Sequence, residues 1–460
     1  MSEEQLQKGQ RNLEIDMLTI VPHSGKGKDF QPFYTEMRIF ESIFSPTLTA
    51  DIVIRDPENL IEDMPIVGGE TVHIKLRTTT FPDDPGAVIA RSFQISAITQ
   101  RTLDNDRQQI YTLKLVPPEF LRDTSVKLGK AFPGVDGDPN TAEIASKIFN
   151  DYMALEPRFI PEGEENKVVI MGTPHSSSIN YISNFWSPIQ NINYICQKIQ
   201  AADVTGSDYF FFESNKGYYI TSLQHMIKEG LEGGFFEEYH YTPPSLEYKP
   251  RQDGNYNSPQ LPTDMSRINE LDIPRTLNIA EGNITGYLAS NIQAYDMFNK
   301  KFKNFTLDME EDFENYITTD KHLPVPKGLP KHFTAKTSTK ILNSYGWNRT
   351  DQSQGINEDA LKTHFSSDAV RAQYINSFND YQFLISVPGR TDIEVGRSIN
   401  FIYPKAQTKG TEEDYQEDEK LSGLYVVTEI KHRINPVDYS MTLRIVKNGV
   451  GKSLGGIDNG

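Results

Sequence analysis

Two stretches of this chain, Gly69-Glu70-Thr71-Val72-His73-Ile74-Lys75-Leu76 and Gly396-Arg397-Ser398-Ile399-Asn400-Phe401-Ile402-Tyr403, open the same piece of β-structure twice. Each starts on a glycine and then places apolar residues at every second position, the period of a strand with one buried face. Each is followed by a long loop and a second strand, Phe93 to Ile98 in the first copy and Leu424 to Ile430 in the second. A polar turn then leads to a closing strand, Ile110-Tyr111-Thr112-Leu113-Lys114-Leu115-Val116 against Ser440-Met441-Thr442-Leu443-Arg444-Ile445-Val446. Gly69 aligns with Gly396 at an offset of 327 and Leu113 with Leu443 at 330, so the intervening loops differ by a net three residues. Unrelated meanders seldom hold both order and spacing, and the pattern predicts a duplicated antiparallel unit.

With 460 residues, the chain is long enough for two to four domains of roughly 150 residues each. Hydrophobic residues at 37%, with 25 Phe and 22 Tyr, exclude a disordered chain. A net charge of −17 argues against stable nucleic-acid binding over a broad surface, which needs clustered Lys and Arg. The single cysteine, Cys196, excludes an intramolecular disulfide and a cysteine-only zinc site; between Ile195 and Ile199 of a predicted helix it reads as a small buried apolar residue. The start, Met-Ser-Glu-Glu-Gln-Leu-Gln-Lys, has no apolar core of the signal-peptide kind, and no apolar run approaches the roughly 20 residues of a membrane span. Synthesis in a cytosol-like compartment is the expectation.

Along the chain, residues 1–12 read as a flexible N-terminus, 13–125 as a first β domain, 126–235 as an α/β domain and 236–265 as a linker rich in Pro, Tyr, Asn and Gly. The second β domain is read from 266–309 and 379–450, split by an insertion at 310–378 that carries a helix, and 451–460 reads as a flexible tail. Within the α/β section, Asn140 and Ser187 are helix N-caps, the latter with Pro188 at the first helical position, where a missing N–H costs nothing. Tyr209 to Thr221 is a hairpin with Asn215-Lys216-Gly217 at its tip, Asn and Gly supplying positive φ. Ile284 to Phe298 and Phe302 to Met309 are read as a strand pair opening the second β domain. The fold class is therefore α+β, mainly antiparallel β.

No catalytic, cofactor or metal site emerges. Gly449-Val450-Gly451-Lys452-Ser453 has the Gly-Lys-Ser end of a phosphate loop, but Val446 stands where that motif needs glycine and no helix can follow. Asp136-Gly137-Asp138-Pro139-Asn140 begins like a calcium loop, yet Thr141 and Lys147 replace its obligatory glycine and glutamate. The nine histidines lack metal-site spacing, and His175-Ser176-Ser177-Ser178 lacks the frame of a nucleophile elbow. Glu412 to Glu419 packs six acids into one loop, read as solvated. An enzyme is not expected.

Three segments carry a resemblance: Tyr209 to Ser222, Gly286-Tyr287-Leu288 through Ala294-Tyr295-Asp296-Met297-Phe298, and Val370 to Val387 with Gly396 to Val446. Together with the first copy they resemble the baseplate hub protein of contractile-tailed phages (the T-even-like hub), and the hub portion of VgrG-type spike proteins. The resemblance implies two similar tube-like β-barrel domains with an intervening α/β domain and an insertion in the second barrel. It also implies a homotrimer whose ring of six similar units adapts a sixfold tail tube to a threefold central spike, in the virion, after synthesis in the host cytoplasm. With no spike extension recognisable, the spike would have to be a separate protein. Tube or tube-adaptor and other baseplate proteins would be neighbours, and DNA would pass through the channel without stable binding. The competing readings are a carbohydrate- or receptor-binding surface β protein, and a hydrolase with dispersed catalytic residues.

Overall fold

The computed structural model describes residues 13–23, 25–64, 66–79, 87–105, 108–132, 140–154, 168–174, 181–202, 208–241, 265–276, 278–296, 301–325, 335–342, 369–378, 380–405 and 417–452. The first unit comprises β1 (Leu13–Val21), β2 (Lys28–Asp29), β3 (Tyr34–Ser42), β4 (Thr49–Asp56), β5 (Thr71–Thr78), β6 (Val88–Asn105) and β7 (Gln108–Val116). The middle section supplies β8 (Ala131–Phe132), β9 (Val168–Ile170), β10 (Tyr181–Ile182), β11 (Tyr209–Glu213) and β12 (Tyr218–Ser222). Beyond it lie β13 (Glu238–Tyr241), β14 (Arg267–Ile268), β15 (Glu270–Thr276), β16 (Ala289–Asp296), β17 (Lys301–Asp308), β18 (Ala335–Leu342), β19 (Tyr381–Pro388), β20 (Ser398–Ile402), β21 (Gly423–Ile434) and β22 (Tyr439–Lys447).

The duplication holds at the level of register. The path β3-β4-β7-β6-β5 in the first unit has the counterpart β15-β19-β22-β21-β20 in the second, antiparallel throughout. In β6 against β7, Ile95 faces Leu115 and Ala97 faces Lys114, leaving Ser96 as a bulge. In β21 against β22, Val427 faces Ile445 and Glu429 faces Arg444, leaving Thr428 as the same bulge. The two opening glycines also match. Gly69 (φ 83) and Gly396 (φ 88) take the left-handed conformation that only glycine adopts without strain. Gly69 donates its N–H to the Ile95 carbonyl at 2.7 Å and Gly396 to the Val427 carbonyl at 2.8 Å. Alternation sets the buried face: Val72, Ile74 and Leu76 point inward in the first copy, as do Met441, Leu443 and Ile445 in the second.

The two units are not separate sheets. Residues 429–434 of β21 pair antiparallel with residues 37–42 of β3, so both units join one 14-stranded sheet, and β21 has three neighbours. The middle section has its own core. Helices Thr141–Tyr152 and Pro188–Cys196 bury Ile144, Ile148, Phe149, Ile192, Ile195 and Cys196 against the three-stranded sheet β11-β12-β9. Both caps form as the sequence requires: Asn140 pairs with Glu143 and Ser187 with Gln190 in reciprocal capping boxes. The β11–β12 hairpin straddles both cores, with Phe211 in the middle core and Phe212 in the large one.

Four readings need correction. The pair β16–β17 lies outside the second unit, because β16 pairs in parallel with β18 of the insertion to make a separate three-stranded sheet. Its expected early start at Ile284 is a helix, Ile279–Thr285, capped by the Asn278 side chain and stopped by Gly286 at φ 77. The expected linker 236–265 begins as structure, since β13 pairs in parallel with β20; residues 242–264 lie outside the described residues. At the hairpin tip neither Asn215 nor Gly217 has positive φ. Ser214 closes the turn instead, donating its N–H to the Gly217 carbonyl at 2.8 Å and accepting from the Lys216 N–H at 3.0 Å.

Candidate functional site at the seam between the units

The β11–β12 tip is wedged where the two sheet units meet. Asn215 donates its backbone N–H to Glu41 Oε2 of β3 at 3.1 Å and its side-chain amide to the Ile393 carbonyl at 2.8 Å. Ser214 donates to Glu394 Oε2 at 2.8 Å, while its carbonyl accepts from Arg91 at 3.0 Å. Glu213 accepts the Leu48 N–H at 2.9 Å. Thr78 at the end of β5 and Thr391 exchange backbone-to-hydroxyl bonds at 2.9 and 2.8 Å. One short turn therefore ties elements of the first unit to the 391–394 segment of the second.

Beneath the tip lies a chain of buried polar groups. His432 of β21 places Nε2 2.9 Å from Glu41 Oε1 and Nδ1 2.9 Å from the Tyr439 hydroxyl, and both ion-pair side chains are 0% exposed. The Tyr439 hydroxyl donates its one proton to the Arg390 carbonyl at 2.7 Å, so Nδ1 must be the donor to tyrosine. Nε2 then faces a carboxylate oxygen, and a further proton has to sit between them. Arg390 binds Asp392 through Nε at 3.0 Å and Nη2 at 2.7 Å, and also pairs with Glu237. Burial alone would lower the guanidinium's pKa, but these carboxylates more than offset it, and the group is held charged.

Burial pushes the Glu213 carboxyl up from 4.5 to about 8, despite the opposing charge of Arg91. Between those values the folded chain keeps a proton that the unfolded chain has lost. The contribution of Glu213 is therefore complete below its unfolded value of 4.5 and is lost as pH rises toward about 8, at no more than about 1.4 kcal/mol per pH unit. Glu213→Gln is expected to flatten the fall in stability between about pH 5 and 8, followed by urea denaturation at several pH values. An unchanged slope would show that the proton is not held there.

Among the described residues no group of three or more His, Cys, Asp or Glu is placed to hold a metal ion, and no helix is long and apolar enough to cross a membrane. Cys196 is buried, and burial pushes its thiol up to about 12. Gly449 to Lys452 is tied down locally: Val450 bridges His322, and Lys452 pairs with Glu419 at 3.5 Å. Ser453, residues 136–139, His175 to Ser178 and residues 412–416 lie outside the described residues. Sequence reasoning missed Glu41, Arg390 and His432. For Glu41 and His432 the one signal is a charged or titratable residue at an inward-facing strand position, visible at Glu41 between Ile39 and Ile43; Arg390, just beyond the end of β19, carries none.

The fold has a counterpart among solved structures. The tail protein from Neisseria meningitidis MC58 matches 96% of this chain and 98% of its own length with a TM-score of 0.53, at 10% sequence identity. This chain has the fold of a tail protein. Two further matches are the 43 kDa tail protein of prophage MuSo2 from Shewanella oneidensis (8% identity, 94% and 98% coverage, TM-score 0.49) and an E. coli component of the type VI secretion system (8% identity, 96% and 80% coverage, TM-score 0.41). The latter is described as structurally similar to the T4 bacteriophage tail proteins gp27 and gp5. The fold assignment rests on the Neisseria tail protein. No family model matches the sequence, and no curated protein sequence does.

Proposed function

We propose that this chain is a structural tail protein, the hub of a baseplate, and not an enzyme. The observation that carries this reading is the five-strand unit present twice in matching register and fused into one sheet. A chain with two near-equivalent units gives six from three copies, the arithmetic needed to join a sixfold tube to a threefold spike. In this reading the first tube-like domain is 13–125. The second is 266–276 with 380–450, β16 and β17 passing to the insertion, and the α/β section at 126–235 braces the two from outside. The spike is a separate protein, the tube or its adaptor sits on the opposite face, and the complex belongs to the virion tail.

An acidic chain of net charge −17 also suits a channel wall that DNA passes without sticking. The test is the mass in solution, by light scattering, alone and with a trimeric spike. A species of three times the 52.3 kDa chain mass is expected in at least one condition. A strict monomer in both would overturn the reading.

A further inference from the structure

We propose that the outer edge of β6 at residues 97–103 pairs with the outer edge of β15 at residues 270–276 in a neighbouring copy of this chain. The joint repeats between chains the β21–β3 ladder found within one chain. It rests on the hub reading only for the number of copies.

The duplication makes the correspondence explicit. β21 corresponds to β6, and β3 to β15, through their matched partners β22 and β7, and β19 and β4. Within the chain, β21 has an edge to spare beyond β20, and β3 fills it. In the first unit β6 runs on past β5 in the same way, held by β7 on its inner edge, but among the described residues no strand pairs with its outer edge there. β15, in turn, pairs with β19 alone. Each unit thus carries both halves of the joint, and one half of each is used.

Exposure follows the same division. At the internal joint Met37, Ile39, Glu41, Ile430, His432 and Ile434 are buried. Their counterparts are less covered: Leu103 of β6 is 74% exposed and Ile273 of β15 45%, while Ile98 and Leu271 are only half-buried. Carrying the register across, the buried pair Ile434–Met37 becomes Leu103–Leu271, and Ile98 faces Thr276, Thr99 faces Arg275 and Thr102 faces Asp272. The irregular steps also coincide. β6 sets Gln100 and Arg101 against the single residue Tyr111, and β15 sets Ile273 and Pro274 against Phe383, one extra residue in each strand. Proline, which has no N–H to give, falls where the ladder is already interrupted.

Long free edges invite further pairing and are usually covered or blunted. Because each copy offers two different edges, the joint is head-to-tail, and such joints propagate until a rotation closes them into a ring.

The test uses full-length chains carrying Leu103→Cys or Leu271→Cys, Cys196 being buried and out of reach. Under mild oxidation at assembling concentration, the double variant is expected to give a ladder of disulfide-linked multimers. An equimolar mixture of the two single variants should give linked dimers and nothing larger, and each single variant alone should give none. Leu103→Asp, at a position exposed enough not to disturb folding, should leave a folded monomer. If light scattering finds a multimer of the unmodified chain but no linkage forms, or if Leu103→Asp leaves the multimer intact, the edge pairing is wrong and the hub reading stands. If the unmodified chain stays monomeric with and without a spike, both fail.

Discussion

Replacing His432 with phenylalanine is expected to cost about 3–5 kcal/mol of stability, the range for breaking a buried ion pair by removing one partner. The fully buried imidazole joins Glu41 to Tyr439. Phenylalanine would restore most of the volume but none of the bonds. Glu41 would be left buried with the Asn215 N–H as its remaining donor, and a carboxylate so placed must be desolvated unpaired or take up a proton. Urea denaturation at neutral pH measures the loss. A second variant, His432→Phe with Glu41→Leu, removes the orphaned charge and is expected to recover part of it. If the double variant is no more stable than the single one, the cost lies in packing and not in the stranded carboxylate.

Arg390→Met is expected to have an effect of similar size, about 3–5 kcal/mol, for a related reason. Arg390 is 5% exposed and answers two acids, Asp392 at 7% and Glu237, while its guanidinium also lies 5.0 Å from the Phe236 ring centre. Methionine keeps the stem and removes every donor, leaving two carboxylates close together. Arg390→Lys is expected to recover only a minor part, since an ammonium cannot span both oxygens of Asp392 as the planar fork does. Thermal unfolding followed by near-UV circular dichroism would report both variants; full recovery by lysine would show that charge alone matters there.

Much of this architecture could be read from the residues. Two opening glycines, an apolar period of two and matching Thr-Leu-(Lys/Arg) closures were enough to expect the duplicated unit, because each is a local consequence of strand geometry. Asn140, Ser187 and Pro188 were legible for the same reason: a cap acts within one turn. What lay beyond reach was pairing at a distance. Nothing in Ala289–Asp296 says that its partner is Ala335–Leu342 rather than the second unit, since half-buried strands of similar composition are interchangeable until the whole chain selects among them. The Asn278 cap and the stop at Gly286 are local signals too, but the alternating apolar residues further along favour a strand. The seam network escaped for a sharper reason. His432 and Glu41 are 391 positions apart, and neither carries a motif.

The join between β3 and β21 bears on the order of events during synthesis. Residues 37–42 leave the ribosome almost four hundred residues ahead of their partners at 429–434. At roughly 5–20 residues per second, translation leaves that edge without its strand for some tens of seconds. Pairings between ends so far apart are slow to form and expose strand edges to other chains while they wait. The charged Glu36, Arg38 and Glu41 of β3 are the kind of residues that discourage a foreign strand from pairing there in the interval. The same residue that later anchors His432 would thus guard the nascent chain against its neighbours on the polysome.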